Sequence, residues 1–340
     1  MSRAAVILYG YGEVDDPSVP GAFERYNALS IQYLVTKSVP IPRRLQPLMA
    51  RRAANRVAKE WADAGDFRSP HNEIFERQRA GVADRLADRY DDRVGVFASH
   101  VFLDEARPGR VLAQAREEGY EAVLHYPLLV VDSTYTGGLA LEQVNEALDG
   151  SGWPSASRYL PGFSADERYR DRLARYVDEV AGSYLSRYPS SQIGVVLVNH
   201  GCPMSGRGWE TGRVESETLF RAVYDRVVTR WPLTSVGWLN HTTPGRWTQP
   251  SADVAARQLE ALGAKVVVFV PIGFVTDNHE TILDVEAIGR SLPSAHFHRA
   301  PALNDDPAFI DMAAEWVVPL LDDLLAQVGG FGAGRPAETP

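Results

Sequence analysis

The sequence has little cysteine and no long hydrophobic run. Its single cysteine, Cys202, excludes a disulfide framework, an all-cysteine zinc site and a four-cysteine iron–sulfur cluster. No apolar run approaches the ~20 residues that cross a bilayer, and the apolar stretch at 4–8 is too short for a signal peptide. We therefore expect a soluble, cytoplasmic protein that has no transmembrane segment.

Basic residues are also fewer than acidic ones. The 44 Asp and Glu against 35 Lys and Arg give a net charge of −9, with no basic stripe, which argues against a nucleic-acid partner. Hydrophobic residues make up 45% of the 340 positions, enough for a substantial core. This length is typical of two domains or one large one.

Short apolar runs alternate with helical segments along the chain. The runs are rich in Val, Ile or Leu and apolar on both faces, which is typical of buried parallel strands. They lie at 4–8, 94–98, 122–126, 193–198, 236–239 and 265–270. Segments with helical periodicity lie at 72–90, 165–188, 215–231 and 250–262. The alternation predicts an α/β fold with doubly wound parallel sheets.

Glycine and proline interrupt this alternation near 149–165. We predict an N-terminal half at 1–160 and a C-terminal half at 161–328. Residues 329–340 have few groups able to bury, so they are predicted to form a flexible tail.

Ligands of open α/β sheets bind beyond the carboxyl ends of the strands, so the residues after each run are candidates for a site. Three runs lead into 9–12, 199–203 and 271–280. In the second segment, His200 lies in a turn, where a neutral imidazole can ligate a metal or take a proton. An ordinary hydrogen-bonded turn histidine is equally consistent with this position.

The third segment runs into an acidic helix start. Asp277 and Glu280 have the spacing of a capping box, which is one interpretation of both residues. Glu280 and Asp284 share a helix face, where like charges are destabilising unless a cation or a proton relieves them. We favour a metal or proton path over capping. His279 does not begin a zinc-protease signature, because Leu283 stands where the second histidine is required.

The glycines that follow the first run do not form a dinucleotide-binding fingerprint. Gly10 and Gly12 are followed by Asp15 where a third glycine is needed, and the acidic segment 13–16 would repel a pyrophosphate. A nucleotide-dependent enzyme is therefore disfavoured.

Taken in order, these segments resemble the ferrochelatase family, enzymes that insert Fe²⁺ into a porphyrin. The resemblance extends from about residue 4 to 325. The most specific segment is 273–281, Gly-Phe-Val-Thr-Asp-Asn-His-Glu-Thr, which is similar to the family's Gly-Phe-Val-Ser-Asp-His-Leu-Glu-Thr. Segment 199–203, Asn-His-Gly-Cys-Pro, is similar to the family's Ser-Ala-His-Gly/Ser-Leu-Pro. Other matches are Tyr9-Gly10 with the monofunctional Gram-positive branch, 39–47 with a proline-rich segment, and 69–78 with a Ser-Pro-Leu…Gln helix start.

The resemblance implies two Rossmann-like domains with the porphyrin cleft between them. It also implies that His200 and Glu280 are the catalytic pair, which ligates the metal and accepts the pyrrole protons. Asp284 and Glu286 would continue as a path for metal or protons. The implied porphyrin contacts are Tyr9, Ser69 and Gln78.

The partners implied by the resemblance are a porphyrin and ferrous iron, with iron as substrate and no prosthetic group. The Tyr9 match and the soluble character favour coproporphyrin III over protoporphyrin IX. We expect a monomer. Two alternatives stay open: a divergent chelatase for another metal or tetrapyrrole, and a non-catalytic tetrapyrrole- or haem-binding protein.

The sequence departs from the family pattern at several positions. Asn278 stands where the family has histidine, and His279 follows it. His71 takes the place of the leucine after Ser-Pro, and Ser99-His100 takes the place of a basic–aromatic pair. These changes leave the predicted His/Glu pair intact.

Overall fold

The computed structural model describes residues 2–148, 152–205, 208–241 and 245–332, with side chains as far as residue 329. Within these ranges the chain forms two four-stranded sheets in which every pairing is parallel. The strands are β1 Ala4–Gly10, β2 Val94–His100, β3 Ala122–Pro127, β4 Ala156–Tyr159, β5 Ile193–His200, β6 Leu233–Leu239, β7 Val266–Pro271 and β8 His296–Arg299. The predicted α/β fold with parallel sheets is confirmed.

Helices connect and cover these strands. They are α1 Ala22–Ser30, α2 Thr36–Ser38, α3 Gln46–Asp63, α4 His71–Tyr90, α5 Pro108–Glu117, α6 Gly137–Leu148, α7 Glu167–Gly182, α8 Arg213–Val227, α9 Ala252–Ala261, α10 Val285–Arg290 and α11 Pro307–Gly332. Two π-helical turns occur at Ile31–Val35 and Glu280–Asp284. The 3₁₀ turns are Arg43–Leu45, Asp91–Arg93, Asp104–Ala106 and Ser190–Gln192.

The sequence predicted six of these strands and missed two edge strands. Central strands such as β1, β3 and β7 are buried along their whole length, so they appear in the sequence as continuous apolar runs. β4 and β8 have four residues each and are mostly not buried. They therefore include polar residues such as Arg158 and His296, and no apolar run marks them.

Both sheets have the same strand order. The first sheet is ordered β2-β1-β3-β4 and the second β6-β5-β7-β8. In each sheet, the first strand along the chain has a neighbour on both sides. The second strand of the chain lies on one side of it, and the third strand lies on the other. Such a switch point opens a crevice at the carboxyl ends of the central strands. The ends of β1 and β5 are thus the places where the fold itself favours a site.

The C-terminal helix α11 returns to the first sheet. Its Leu321 and Leu324 belong to the same buried apolar cluster as Leu8 and Leu124 of β1 and β3. This cluster continues into the second sheet, so the two halves share a core. The division at 160/161 stays a prediction, with α11 packing on the half to which it does not belong in sequence.

The predicted tail is partly helical. α11 continues to Gly332, which includes 329–332, while 333–340 lie outside the described residues. Among the residues that the structure describes, no helix combines the length and the apolar character needed to span a membrane.

Candidate active site

Three side chains meet at the carboxyl end of the second sheet. His200 is the last residue of β5, His241 follows the end of β6 by two residues, and Glu280 begins the π-helical turn that follows β7. Because β6, β5 and β7 are adjacent, their ends bring these residues together. The two Nε2 atoms are 3.0 Å apart, and each lies 3.6 Å from Oε1 of Glu280.

The backbone fixes how His200 presents its ring. Its Nδ1 donates a hydrogen bond of 2.7 Å to the Gly201 carbonyl, which can only accept, so in the neutral ring the Nε2 lone pair faces the other two residues. Residue 201 must be small, because a Cβ there would lie 2.6 Å from the carbonyl oxygen of Leu239. The local turn therefore orients a metal-ligating nitrogen.

The charges on the side chains of the site favour the binding of a metal ion or a proton. Glu280 is buried, which by itself raises its pKa, but the nearby charges of His200, His241 and His279 outweigh burial and lower it. Desolvation and the charge of His200 lower the pKa of His241. An imidazole and a carboxylate are ligands that first-row divalent metals accept.

Glu280 is not part of a helix cap. The backbone N–H of Thr281 donates to Asn278 Oδ1 at 2.9 Å, and the N–H of Asn278 donates to Thr281 Oγ1 at 2.9 Å. Asp277 instead accepts a hydrogen bond of 3.1 Å from Arg299. The capping interpretation of Asp277 and Glu280 is therefore wrong, because the cap lies one residue later. The carboxylate of Glu280 is free for chemistry.

Asp284 and Glu286 were predicted to continue from Glu280 as a path for metal or protons, and only Asp284 lies beside Glu280. Burial, followed by the charge of Glu280 and then that of Glu60 on α3, raises the pKa of Asp284 to about 7. Glu286 is two residues further on, about 200° around the helix, and pairs with Arg290. The charge of Glu60 therefore acts on Asp284, whereas Glu286 has its own partner.

Tyr9 does not face this cluster. It is fully buried within β1, and its hydroxyl is 2.7 Å from Nδ1 of His125. Burial raises the pKa of Tyr11, just past the strand, and that of Tyr26 on α1, and the charge of Glu280 adds to the effect in both. The Tyr11 hydroxyl donates to the Tyr135 carbonyl at 2.5 Å.

The two other predicted porphyrin contacts already have partners. Gln78 is fully buried and donates to the carbonyls of Val275 at 3.0 Å and Asn304 at 2.8 Å, so it joins the two halves of the chain. The Ser69 hydroxyl donates to the carboxylate of Glu13. The structure brings neither side chain to His200 and Glu280.

Glu13 also binds the residue that precedes Glu280. Its carboxylate accepts hydrogen bonds from Nδ1 of His279 and, at 3.2 Å, from the His279 backbone N–H. Burial lowers the pKa of His279, but the charge of Glu13 outweighs it and raises the pKa to about 10. Burial raises the pKa of Glu13, and His279 outweighs this too, so the net change is downward. This buried ion pair ties the segment after β1 to the π-helical turn.

Sequence reasoning missed four residues of this neighbourhood: Glu13, Tyr11, Glu60 and His241. Only the last had a signal that the sequence rules could have used. His241 follows the predicted strand at 236–239, as His200 follows the one at 193–198. Examining the end of every predicted strand would have found it.

Comparisons with known proteins identify what this chain is similar to. The model of the family described as Ferrochelatase matches residues 3–320. A ferrochelatase of Geotalea daltonii is 25% identical over 334 residues, covering 93% of this chain and 97% of its own. A ferrochelatase of Thioalkalivibrio sulfidiphilus is 29% identical over 284 residues, covering 79% of this chain and 72% of its own. The structure of SirB from Bacillus subtilis with Fe³⁺ has a TM-score of 0.52 at 12% identity, covering 95% of this chain and 98% of that one, which shows a likeness of fold.

Proposed function

From the premise that this chain belongs to the ferrochelatase family, whose enzymes insert a metal into a porphyrin, we propose that it inserts Fe²⁺ into coproporphyrin III, with His200 and Glu280 as its catalytic pair. The observation that carries the proposal is the approach of His200 Nε2 to Glu280 Oε1, at 3.6 Å, where two adjacent strands end. Ferrous iron is a substrate in this scheme.

Insertion requires that Fe²⁺ lose water and that two pyrrole N–H groups lose their protons. In this proposal the oriented Nε2 of His200 and the ionised carboxylate of Glu280 bind the iron, and each takes one of the two protons after the pyrrole nitrogens have replaced it on the metal. Asp284, with a pKa of about 7, can receive a proton from Glu280 near neutral pH. Glu60 is exposed and carries the proton on to solvent.

The proposed choice of porphyrin rests on charge. Coproporphyrin III carries four propionates and protoporphyrin IX two, so the first gains more from surrounding guanidinium groups. Five exposed arginines precede or lie on α3, and none forms an ion pair within the described ranges: Arg43, Arg44, Arg51, Arg52 and Arg56. The charge of Arg56 reaches His241, where it contributes to the lowered pKa. Met49, Arg52 and Arg56 share one helix face, which combines apolar and cationic contacts for a porphyrin.

A porphyrin contact by Tyr9 is not part of the proposal, because this residue is fully buried. Porphyrin contacts by Ser69 and Gln78 are not part of the proposal. The monomeric state and the cytoplasmic location stay predictions.

The first test is anaerobic incubation of the purified protein with Fe²⁺ and, separately, each of the two porphyrins, following the Soret and visible bands. We expect faster insertion into coproporphyrin III. Faster insertion into protoporphyrin IX would overturn the substrate assignment. Porphyrin binding without insertion of Fe²⁺, Co²⁺ or Ni²⁺ would favour the binding-protein alternative.

A second test addresses the arginines. Replacing Arg52 and Arg56 by glutamine should raise the KM for coproporphyrin III more than that for protoporphyrin IX. The same replacement at Arg187, an exposed arginine beyond α7, serves as the control and should change neither KM. Equal effects on both porphyrins would contradict recognition of the extra propionates.

A further inference from the structure

We propose that His241 is a third metal ligand, so that His200, His241 and Glu280 form a two-histidine, one-carboxylate site that binds a divalent first-row metal before the porphyrin arrives. The inference rests on the proposed function, since the same site would then deliver the metal to the macrocycle. It adds a ligand that the family resemblance does not include, and an order of events.

The distances fit a single ion. The three ligand atoms form a triangle with sides of 3.0, 3.6 and 3.6 Å. The corners of such a triangle lie about 2.0 Å from a common centre, which matches the bonds of about 2.0–2.2 Å that imidazole and carboxylate ligands make to a metal such as zinc. No movement of the three side chains is needed to bring all of them within bonding distance of one cation.

A cation can bind all three groups of the cluster together. In its absence, one ring can donate a hydrogen bond to the other across the 3.0 Å between the Nε2 atoms, which satisfies the histidines. This hydrogen bond does not involve Glu280, whose side chain is 9% exposed and accepts no hydrogen bond from the residues that the structure describes. A metal at the centre of the triangle binds the carboxylate and both imidazoles at once.

The donor set indicates the class of metal. Two imidazoles and one carboxylate suit Fe²⁺, Co²⁺, Ni²⁺ and Zn²⁺, whereas Mg²⁺ and Ca²⁺ prefer sites made of oxygen ligands. Three protein ligands leave further coordination positions for water or for incoming pyrrole nitrogens. His241 therefore favours the metals that chelatases handle over the more abundant hard cations.

The exposure of the ligands suits transfer of the metal to a porphyrin. The side chains of His200 and His241 are 43% and 44% exposed, so the site opens on the side of the two histidines. His241 lies between β6 and α9, outside any helix or strand, with its ring edge against Trp247 at 5.5 Å between centroids. A ligand on such a segment can leave the metal as the macrocycle takes over its coordination.

The experiment is a titration of the full-length, chelator-treated protein with Co²⁺, followed by the visible absorption bands of the metal, without porphyrin. Wild type should bind one Co²⁺, and Mg²⁺ should not compete. H241A should bind Co²⁺ at least about tenfold more weakly, since even the loss of an outer-shell partner costs 10–100-fold in metal affinity. The matched control is H296A, which removes an exposed histidine of β8 and should bind as wild type does.

The outcomes separate this inference from the proposed function. If H241A binds Co²⁺ as tightly as wild type, the ligand assignment is wrong. If wild type inserts Fe²⁺ into a porphyrin yet binds no Co²⁺ on its own, early loading is wrong and the proposed function stands. If wild type binds Co²⁺ through this site but inserts no metal, the proposed function fails and the metal site stands.

A second measurement does not depend on the folding of a variant. X-ray absorption at the cobalt edge of the wild-type complex counts the imidazoles on the metal. Two imidazoles are expected from His200 and His241. A count of one or none would overturn the inference, whatever H241A does.

Discussion

The two sheets have the same strand order but carry different chemistry where their central strands end. Near the end of β1, Tyr9 is fully buried and bonded to His125, a residue of the neighbouring strand β3. At the end of β5, His200 is half-exposed and faces His241 and Glu280. The topology provides a crevice twice, and burial together with the choice of partners decides which crevice can hold a metal.

The histidines of the two sheets show the same difference. Burial lowers the pKa of His100 to about 3 and that of His125 to about 4, so both are neutral packing residues. His200 and His241 meet an ionised carboxylate, and within the described ranges theirs is the only group of three potential metal ligands. A histidine near a strand end thus indicates a metal site only when a carboxylate and an open side accompany it.

The largest effect should come from His200→Ala. This change removes the oriented nitrogen, so we expect the insertion rate to fall by at least about 100-fold. Porphyrin binding, followed by quenching of porphyrin fluorescence, should stay close to wild type because the rest of the cleft is intact. Turnover near the wild-type level would show that His200 is not catalytic. The second sheet would then differ from the first only in the exposure of its histidines.

Glu280→Gln should come next. Loss of the carboxylate charge should slow insertion by about 100-fold, while the thermal unfolding temperature changes little, because the helix cap is made by Asn278 and Thr281. Asn278→Ala is the matched control and should cost about 1 kcal/mol of unfolding free energy. A Glu280→Gln protein that is active but destabilised to a similar extent would restore the capping interpretation.

Tyr9→Phe tests the first sheet. It leaves Nδ1 of His125 buried without its partner, so we expect a loss of about 1–3 kcal/mol in urea unfolding. Insertion should be nearly unchanged, in contrast to His200→Ala. A loss of activity as large as that of His200→Ala, without destabilisation, would instead support the porphyrin contact that the resemblance implied for Tyr9.

The last prediction concerns how the free energy of unfolding changes with pH. The pKa of His279 rises on folding from about 6.5 to about 10, so its stabilisation is complete below about 6.5 and is lost as the pH rises towards 10. Glu13, whose pKa is lowered, contributes above its unfolded pKa and loses its contribution as the pH falls. In urea unfolding, the difference between wild type and Glu13→Gln should therefore be largest near pH 6 and shrink towards pH 10. Parallel curves would show that the ion pair does not couple to folding.

Much of the site was predictable because its residues follow the ends of strands that the sequence predicts. His200 and Glu280 follow apolar runs that the sequence marks clearly, and both lie in the segments most similar to the family. Tyr9 was misplaced because two Tyr-Gly pairs stand side by side at 9–12, and the sequence does not say where β1 leaves the core. Glu286 was misplaced because it was taken from the resemblance, whereas ordinary helical spacing places it about 200° around the helix from Asp284.

The sequence by itself determined the parallel α/β fold, because buried strands and amphipathic helices leave distinct periodicities in a chain. The resemblance of local motifs also predicted that His200 and Glu280 act as a pair, and the structure places them 3.6 Å apart. Only the tertiary structure decided that His241 joins His200 across 41 residues and that Glu13 meets His279 across 266. Such contacts depend on which strands are neighbours and how far each one extends, and these are properties of the assembled sheets that no local pattern contains.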